Sequence, residues 1–237
     1  MAAVLLSGTA LLAFDFVTGC ATERRVAMAE FIGEGLACVR GERAVFTALS
    51  FRLINGGALI LAGPNGAGKS SLLRMMAGLL PPVDGLLAWD GSPIAADPEA
   101  HRRRVRYIAH ADAVKPALTV AENLQIWAVL RGGQGGAEER GTAALAAFGI
   151  DRLTDLPGRY LSAGQKRRLA LARLLVAPAP LWLLDEPRAG LDADAERRLD
   201  AAIQRHRDGG GMVVMALHGG RRPVDAPTLN LSGMAQC

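Results

Sequence analysis

An unbroken apolar run at residues 58–62 leads into Gly63, Pro64, Asn65, Gly66, Ala67, Gly68, Lys69 and Ser70, and helix-forming residues follow from Ser71. No other stretch constrains the chain as much. It has the spacing G-x-x-x-x-G-K-[ST] between a strand and a helix, the context that separates this motif from a chance glycine turn. Gly63, Gly66 and Gly68 permit turns that a side chain would obstruct, so successive backbone N–H groups point inward. The N-terminal end of the next helix adds positive potential at the same point. The loop therefore suits a phosphate, with residues 63–71 as the nucleotide-binding stretch: Lys69 is placed for the β- and γ-phosphates, and the Ser70 hydroxyl for Mg2+.

With 237 residues, the chain can form one large core, or one core and a small subdomain. The formal charge of +4 is mild, and its densest basic cluster, His101, Arg102, Arg103, Arg104 and Arg106, has no aromatics interleaved. A solvated helix face is the expected role, with no nucleic-acid partner. Cys20, Cys38 and Cys237 are odd in number and lack metal-ligand spacing, which fits a reducing cytosol. Residues 2–17 are mostly apolar and lead to Val17, Thr18, Gly19 and Cys20, similar to a lipoprotein cleavage box. No Lys or Arg precedes that run, Asp15 interrupts it, and it is short for a membrane span. Residues 1–27 are therefore expected to be a dispensable or mis-assigned leader, and 28–237 a single working domain. A membrane role would come through a partner.

Residues 31–55, around Phe46 and 49–54, have a strand-like pattern expected to form an antiparallel sheet; a turn at 78–85 and a short strand near 86–91 follow. Another strand is expected at 107–109, with His110 just beyond it. Helices are expected at 119–131 and 137–148, joined by glycine-rich residues. Leu161 and Ser162 open a helix with Leu171, Leu174 and Leu175 at i, i+3 and i+4, stopped by Pro178. Residues 181–184 end at Asp185 and Glu186, and 212–217 end at His218. Together with 58–62, these apolar runs without alternation predict strands buried on both faces, as in a parallel sheet covered by helices. Ligands bind beyond the carboxyl ends of such strands. The phosphate loop, the acidic pair and His218 are thus expected to converge.

At that point Asp185 would hold Mg2+, directly or through water, and Glu186 would orient and deprotonate an attacking water. A pair such as Glu186 and Pro187 can also simply begin a helix, but beside a phosphate loop the catalytic role is the stronger expectation. His218 would hydrogen-bond the γ-phosphate and the water. Ser162, Ala163, Gly164 and Gln165 sit at a helix start, where Ser alone signals only a cap.

Taken together, residues 63–70, 161–165 and 181–187, the run Ala189, Gly190, Leu191 and Asp192, and His218 resemble the nucleotide-binding subunit of ABC transporters, in the same order and spacing. The resemblance implies an α/β P-loop NTPase fold of ABC ATPase type: a parallel core sheet with helices, an N-terminal antiparallel β subdomain and a helical subdomain near 112–176. It implies ATP and Mg2+ as ligands, and a head-to-tail dimer of two copies. In that dimer the 162–165 motif contacts the γ-phosphate bound to the facing copy, and residues 189–192 cross the seam. It also implies integral membrane permease subunits and a place on the cytoplasmic face of the bacterial inner membrane.

A narrower likeness is to the ATPase of bacterial cytochrome c maturation, the so-called haem exporter. It rests on Ala163 where most relatives carry Gly, Arg40 where an aromatic usually stacks on adenine, His110 at the usual glutamine position, and an end soon after His218. Arg40 would cover adenine with its guanidinium plane. That subfamily typically shows His-Gln at this strand end, and here the pair is His110 and Ala111: either His110 takes over the glutamine's Mg2+ contact, or that contact is weakened. The implied role is driving haem release from a periplasmic chaperone. The alternatives are the ATPase of another exporter and a soluble ABC protein acting on ribosomes or DNA. The latter usually has tandem ATPase units or a long coiled-coil insertion, and neither occurs in this chain.

Overall fold

The computed structural model describes residues 29–131, 136–217 and 225–232. Strands β1 (Glu30–Arg40) and β2 (Arg43–Ile54) form a hairpin closed by Gly41 and Glu42. Then come β3 (Ala58–Ala62), α1 (Lys69–Met76), β4 (Asp84–Trp89), β5 (Ser92–Pro93), α2 (Pro98–Arg104), β6 (Val105–Ile108), α3 (Val120–Arg131) and α4 (Ala137–Ala147). The order finishes with α5 (Ala163–Val176), β7 (Leu181–Asp185), α6 (Ala193–Asp208), β8 (Met212–Ala216) and β9 (Thr228–Asn230). The expected leader at 1–27 and His218 lie outside the described residues.

Two sheets result. One is antiparallel, in the order β2-β1-β4-β5; the other runs β6-β7-β8-β3-β9 with every neighbouring pair parallel. Side chains alternate across the parallel sheet. Trp182, Leu184, Val213, Met215 and Ile60 join a core formed with α3 to α6. Leu181, Leu183, Val214, Leu59 and Leu61 join a second core with α1 and with Phe31, Phe46 and Leu87 of the antiparallel sheet. Both faces are covered, so apolar residues are needed at every strand position. Burying each such side chain stabilises the fold by about 1.5–3 kcal/mol.

Helix α6 was not among the elements expected from the sequence. Its charged residues hide one apolar stripe, Ala195, Leu199, Ala202 and Ile203, and Asp192 caps it by accepting from the Ala195 amide at 2.8 Å.

The basic cluster departs from its expected role. Arg102, Arg103 and Arg104 are exposed on α2, but His101 and Arg106 are buried. The Trp89 indole donates to His101 Nδ1 at 3.0 Å, and His101 Nε2 lies 3.0 Å from the Met76 carbonyl. An indole N–H only donates and a carbonyl only accepts, so the neutral tautomer with its proton on Nε2 is fixed. Arg106 donates to the carbonyls of Ala177 at 2.8 Å and Pro178 at 3.1 Å, just past the end of α5. A cation there satisfies acceptors that a helix end leaves open.

His206 on α6 stacks on Trp182 with ring centroids 3.9 Å apart and an interplanar angle of 4°. Burial lowers its pKa from 6.5 to about 4 and holds that of His101 below its ordinary value as well. Below about pH 6.5 the unfolded chain takes up protons that the folded chain refuses, so stability falls as pH drops through this window. The melting temperature should therefore decline from pH 6.5 toward pH 4, and His206→Phe should remove part of that decline. Parallel thermal melts of the two proteins check it.

Candidate nucleotide site

The phosphate loop leaves the carboxyl end of β3 and enters α1. Lys69, 6% exposed, turns its ammonium back into the loop, donating to the Gly63 carbonyl at 2.7 Å and the Pro64 carbonyl at 3.1 Å. Gly68 precedes the helix at φ 98°, where side chains are strained. A Cβ there would also stand 2.5 Å from Val45 Cγ1 on β2, so the antiparallel sheet presses directly on the loop.

Beside the loop lies a cavity of about 570 Å³, lined by residues 64–71, Arg40, Arg43, Ala44, Val45, Glu186, Leu231 and Ser232. This volume lies in the range of small-molecule and cofactor sites. Arg40 is among the lining residues. Arg43, and the Leu231 and Ser232 wall following β9, had no motif to announce them. Arg40 and Arg43 pair across the β1–β2 turn, so an arginine at one end of the hairpin brings the other to the same rim.

On the acidic side, Asp185 ends β7 with 3% exposure, and the Tyr107 hydroxyl donates to its Oδ2 at 3.4 Å. Glu186 follows at φ 47°, a left-handed conformation unusual for a residue with a Cβ and frequent at functional sites. Its amide donates to the Ala216 carbonyl at the end of β8 at 3.1 Å, and the residue lines the cavity together with the phosphate loop. His110 Nδ1 stands 3.5 Å from Glu186 Oε2. Because β8 lies between β3 and β7, the loop and the acidic pair flank its carboxyl end. His218 belongs to the chain just beyond that end, outside the described residues.

Among the described residues no group of three or more His, Cys, Asp or Glu could enclose a metal. Ser70 and Asp185 offer two hard oxygens instead, a donor set that suits Mg2+, which is commonly bound through one or two protein ligands together with waters and substrate phosphates. Asp185 fits this use: it is a buried carboxylate whose only hydrogen bond among the described residues is the long one from Tyr107.

The 162–165 motif lies elsewhere. Ser162 caps α5 reciprocally, its Oγ accepting from the Gln165 amide at 3.2 Å while Gln165 Oε1 accepts from the Ser162 amide at 2.8 Å. A Cβ on Gly164 would stand 3.0 Å from the Gly190 carbonyl, so the motif packs against the 189–192 loop. Arg168 Nη2 donates to both carboxylate oxygens of Asp192, at 2.7 and 2.6 Å. The Ala195 amide and then Arg168 hold the Asp192 carboxyl below its usual pKa. Neither 162–165 nor 189–192 lines the cavity.

A family model described as "ABC transporter" matches residues 46–189. The chain belongs to that family. It is similar to the "Cytochrome c biogenesis ATP-binding export protein CcmA" of Paramagnetospirillum magneticum, 54% identical over 208 residues that cover 86% of this chain and 95% of that protein. The protein of the same description from Rhodospirillum rubrum is 57% identical over 192 residues, 81% of each chain. Among solved structures, an ATP-binding subunit of an ABC transporter superposes with a TM-score of 0.73 at 26% identity, covering 79% of each chain. A putative ABC transporter ATP-binding protein from Pyrococcus furiosus gives 0.75 at 23% identity, covering 87% of this chain and 100% of that one, and shows the fold. The chain is thus an ABC-type ATPase, binding and hydrolysing ATP, of a family that in general works as dimers with membrane partners. No helix among the described residues is long and apolar enough to cross a membrane.

Gly68→Ala in this ABC ATPase combines a left-handed backbone with a contact that must shift. Strain of about 1–3 kcal/mol at the loop should weaken ATP binding by roughly ten-fold, read by titration calorimetry.

Proposed function

We propose that this chain is the ATP-hydrolysing subunit of an ABC complex that drives haem delivery and release for c-type cytochrome biogenesis, held peripherally on the cytoplasmic face of the bacterial inner membrane. The similarity to cytochrome c biogenesis ATP-binding export proteins at 54% and 57% identity supports the pathway. The observation carrying the chemistry is that Glu186 faces the same cavity as the phosphate loop.

In this reading the loop amides and Lys69 hold the β- and γ-phosphates, and Arg40 lays its guanidinium plane over the adenine. Ser70 and Asp185 would hold Mg2+, which when bound would supply positive charge to the phosphate oxygens. Glu186 takes the proton from the attacking water, and His218 fixes the geometry of water and γ-phosphate. The His110 contact with Glu186 favours a role for His110 on that carboxylate.

Two copies would pair head to tail, so that Ser162, Ala163, Gly164 and Gln165 complete the facing copy's site and residues 189–192 cross the seam. Supporting this, 162–165 sit on a capped helix end away from their own cavity. The packed helices α3, α4 and α5 would constitute the helical subdomain near 112–176. Integral membrane permease subunits are the other partners, and the exposed Ile126, Val129 and Leu130 of α3 are apolar surface that such a subunit would cover.

Glu186→Gln should still bind ATP and trap the dimer, with turnover lowered on the order of 100-fold; full activity would remove Glu186 from the role of base. Lys69→Ala in the native host should abolish covalent haem in c-type cytochromes and spare other membrane functions. Normal c-type cytochromes in that strain would move the ATPase to another transporter.

A further inference from the structure

Arg167 lies in the second turn of α5, just past the 162–165 motif, and is 3% exposed. Its guanidinium spans the two chain segments that leave β6 and β7, the second of which reaches the cavity at Glu186. Nη2 donates to the carbonyls of Glu186 at 2.7 Å and Asp185 at 2.9 Å, and Nε to that of Pro187 at 3.3 Å. Nη1 donates to the Ala109 carbonyl at 2.9 Å and to Asp112 Oδ1 at 3.0 Å, and lies 3.5 Å from the His110 carbonyl.

A buried guanidinium is a poor choice for stability alone, since well-packed apolar residues of similar volume often serve as well or better. What it supplies is a rigid planar fork whose donors fix the positions of several acceptors at once. Here the acceptors are backbone carbonyls of the residues that carry the acidic pair and His110. Glu186 needs such support, because its left-handed backbone persists only where the surroundings over-determine it. The Ala216 carbonyl holds its amide, and Arg167 holds its carbonyl.

We propose that Arg167 is a positioning residue for ATP hydrolysis: its fork fixes the backbone of Glu186 against the end of β6, and so sets the Glu186 carboxylate at the phosphate loop. The inference rests on Glu186 acting as the base. Arg167 itself does not line the cavity, and the proposal routes its effect on turnover through Glu186. A small misplacement of a catalytic group is enough to cost about 100-fold in rate.

The test is a double-mutant cycle on the full-length protein, with Arg167→Gln and Arg167→Lys each made alone and with Glu186→Gln. Arg167→Gln should lower kcat at least ten-fold, with KM for ATP and nucleotide affinity within about two-fold of wild type. Arg167→Lys keeps the charge but cannot bridge both strand ends, and should lower kcat in the same way. It serves as the cycle's partner should Arg167→Gln fail to fold. In the Glu186→Gln background either substitution should change the residual single-turnover rate by less than two-fold. Losses that multiply instead, or a kcat unchanged by both substitutions, would overturn the proposal. Full activity of Glu186→Gln alone would instead sink the underlying assignment of the base, a result distinguishable from failure of the Arg167 link.

Discussion

A parallel sheet brings all its carboxyl ends to one edge, and the helices covering both faces leave that edge as the place where unlike functional groups can meet. Here β8 sits between β3 and β7, so the phosphate loop and the acidic pair come from strands two places apart and close on the same space. That arrangement depends on the alternating burial of residues such as Leu183 and Leu184 into two different cores. If one face were left uncovered, half of each strand's apolar side chains would lose their partners, and the spacing between loop and acid would no longer be fixed.

The parts of the molecule legible in the sequence are those governed by local rules. The apolar runs at 58–62, 181–184 and 212–217 have to be apolar because both faces are buried, and the loop between β3 and α1 has to be glycine-rich because Gly68 takes a conformation that a side chain resists. Ser162 at a helix start is likewise a local signal, and it caps α5. Arg167 is different. Its acceptors lie 18 to 20 residues ahead and 55 to 58 behind, so nothing in its own neighbourhood distinguishes it from Lys166 or Arg168. Arg43 reaches the cavity only because a two-residue turn sets it against Arg40. Helix α6 shows a legible stripe that its many charges obscure.

The cluster from His101 to Arg106 shows why charge runs mislead. In sequence it is a uniform basic block; in the fold, Arg102 to Arg104 face solvent while His101 and Arg106 turn inward to specific acceptors. Burial of a titratable group is decided by what the rest of the chain places around it, and Met76, Trp89 and Ala177 lie far along the sequence. The same holds for His206, which burial keeps from charging and which stacks on Trp182 of β7.

The reciprocal cap on α5 carries a directional consequence. A hydroxyl has one hydrogen to give and two lone pairs to receive with. The Gln165 amide already occupies one lone pair of Ser162, so the hydroxyl keeps its hydrogen and its other lone pair, at a helix end whose first-turn amides point toward the N-terminus. The exposed tip of this helix is thereby polarised as a donor before any other molecule arrives.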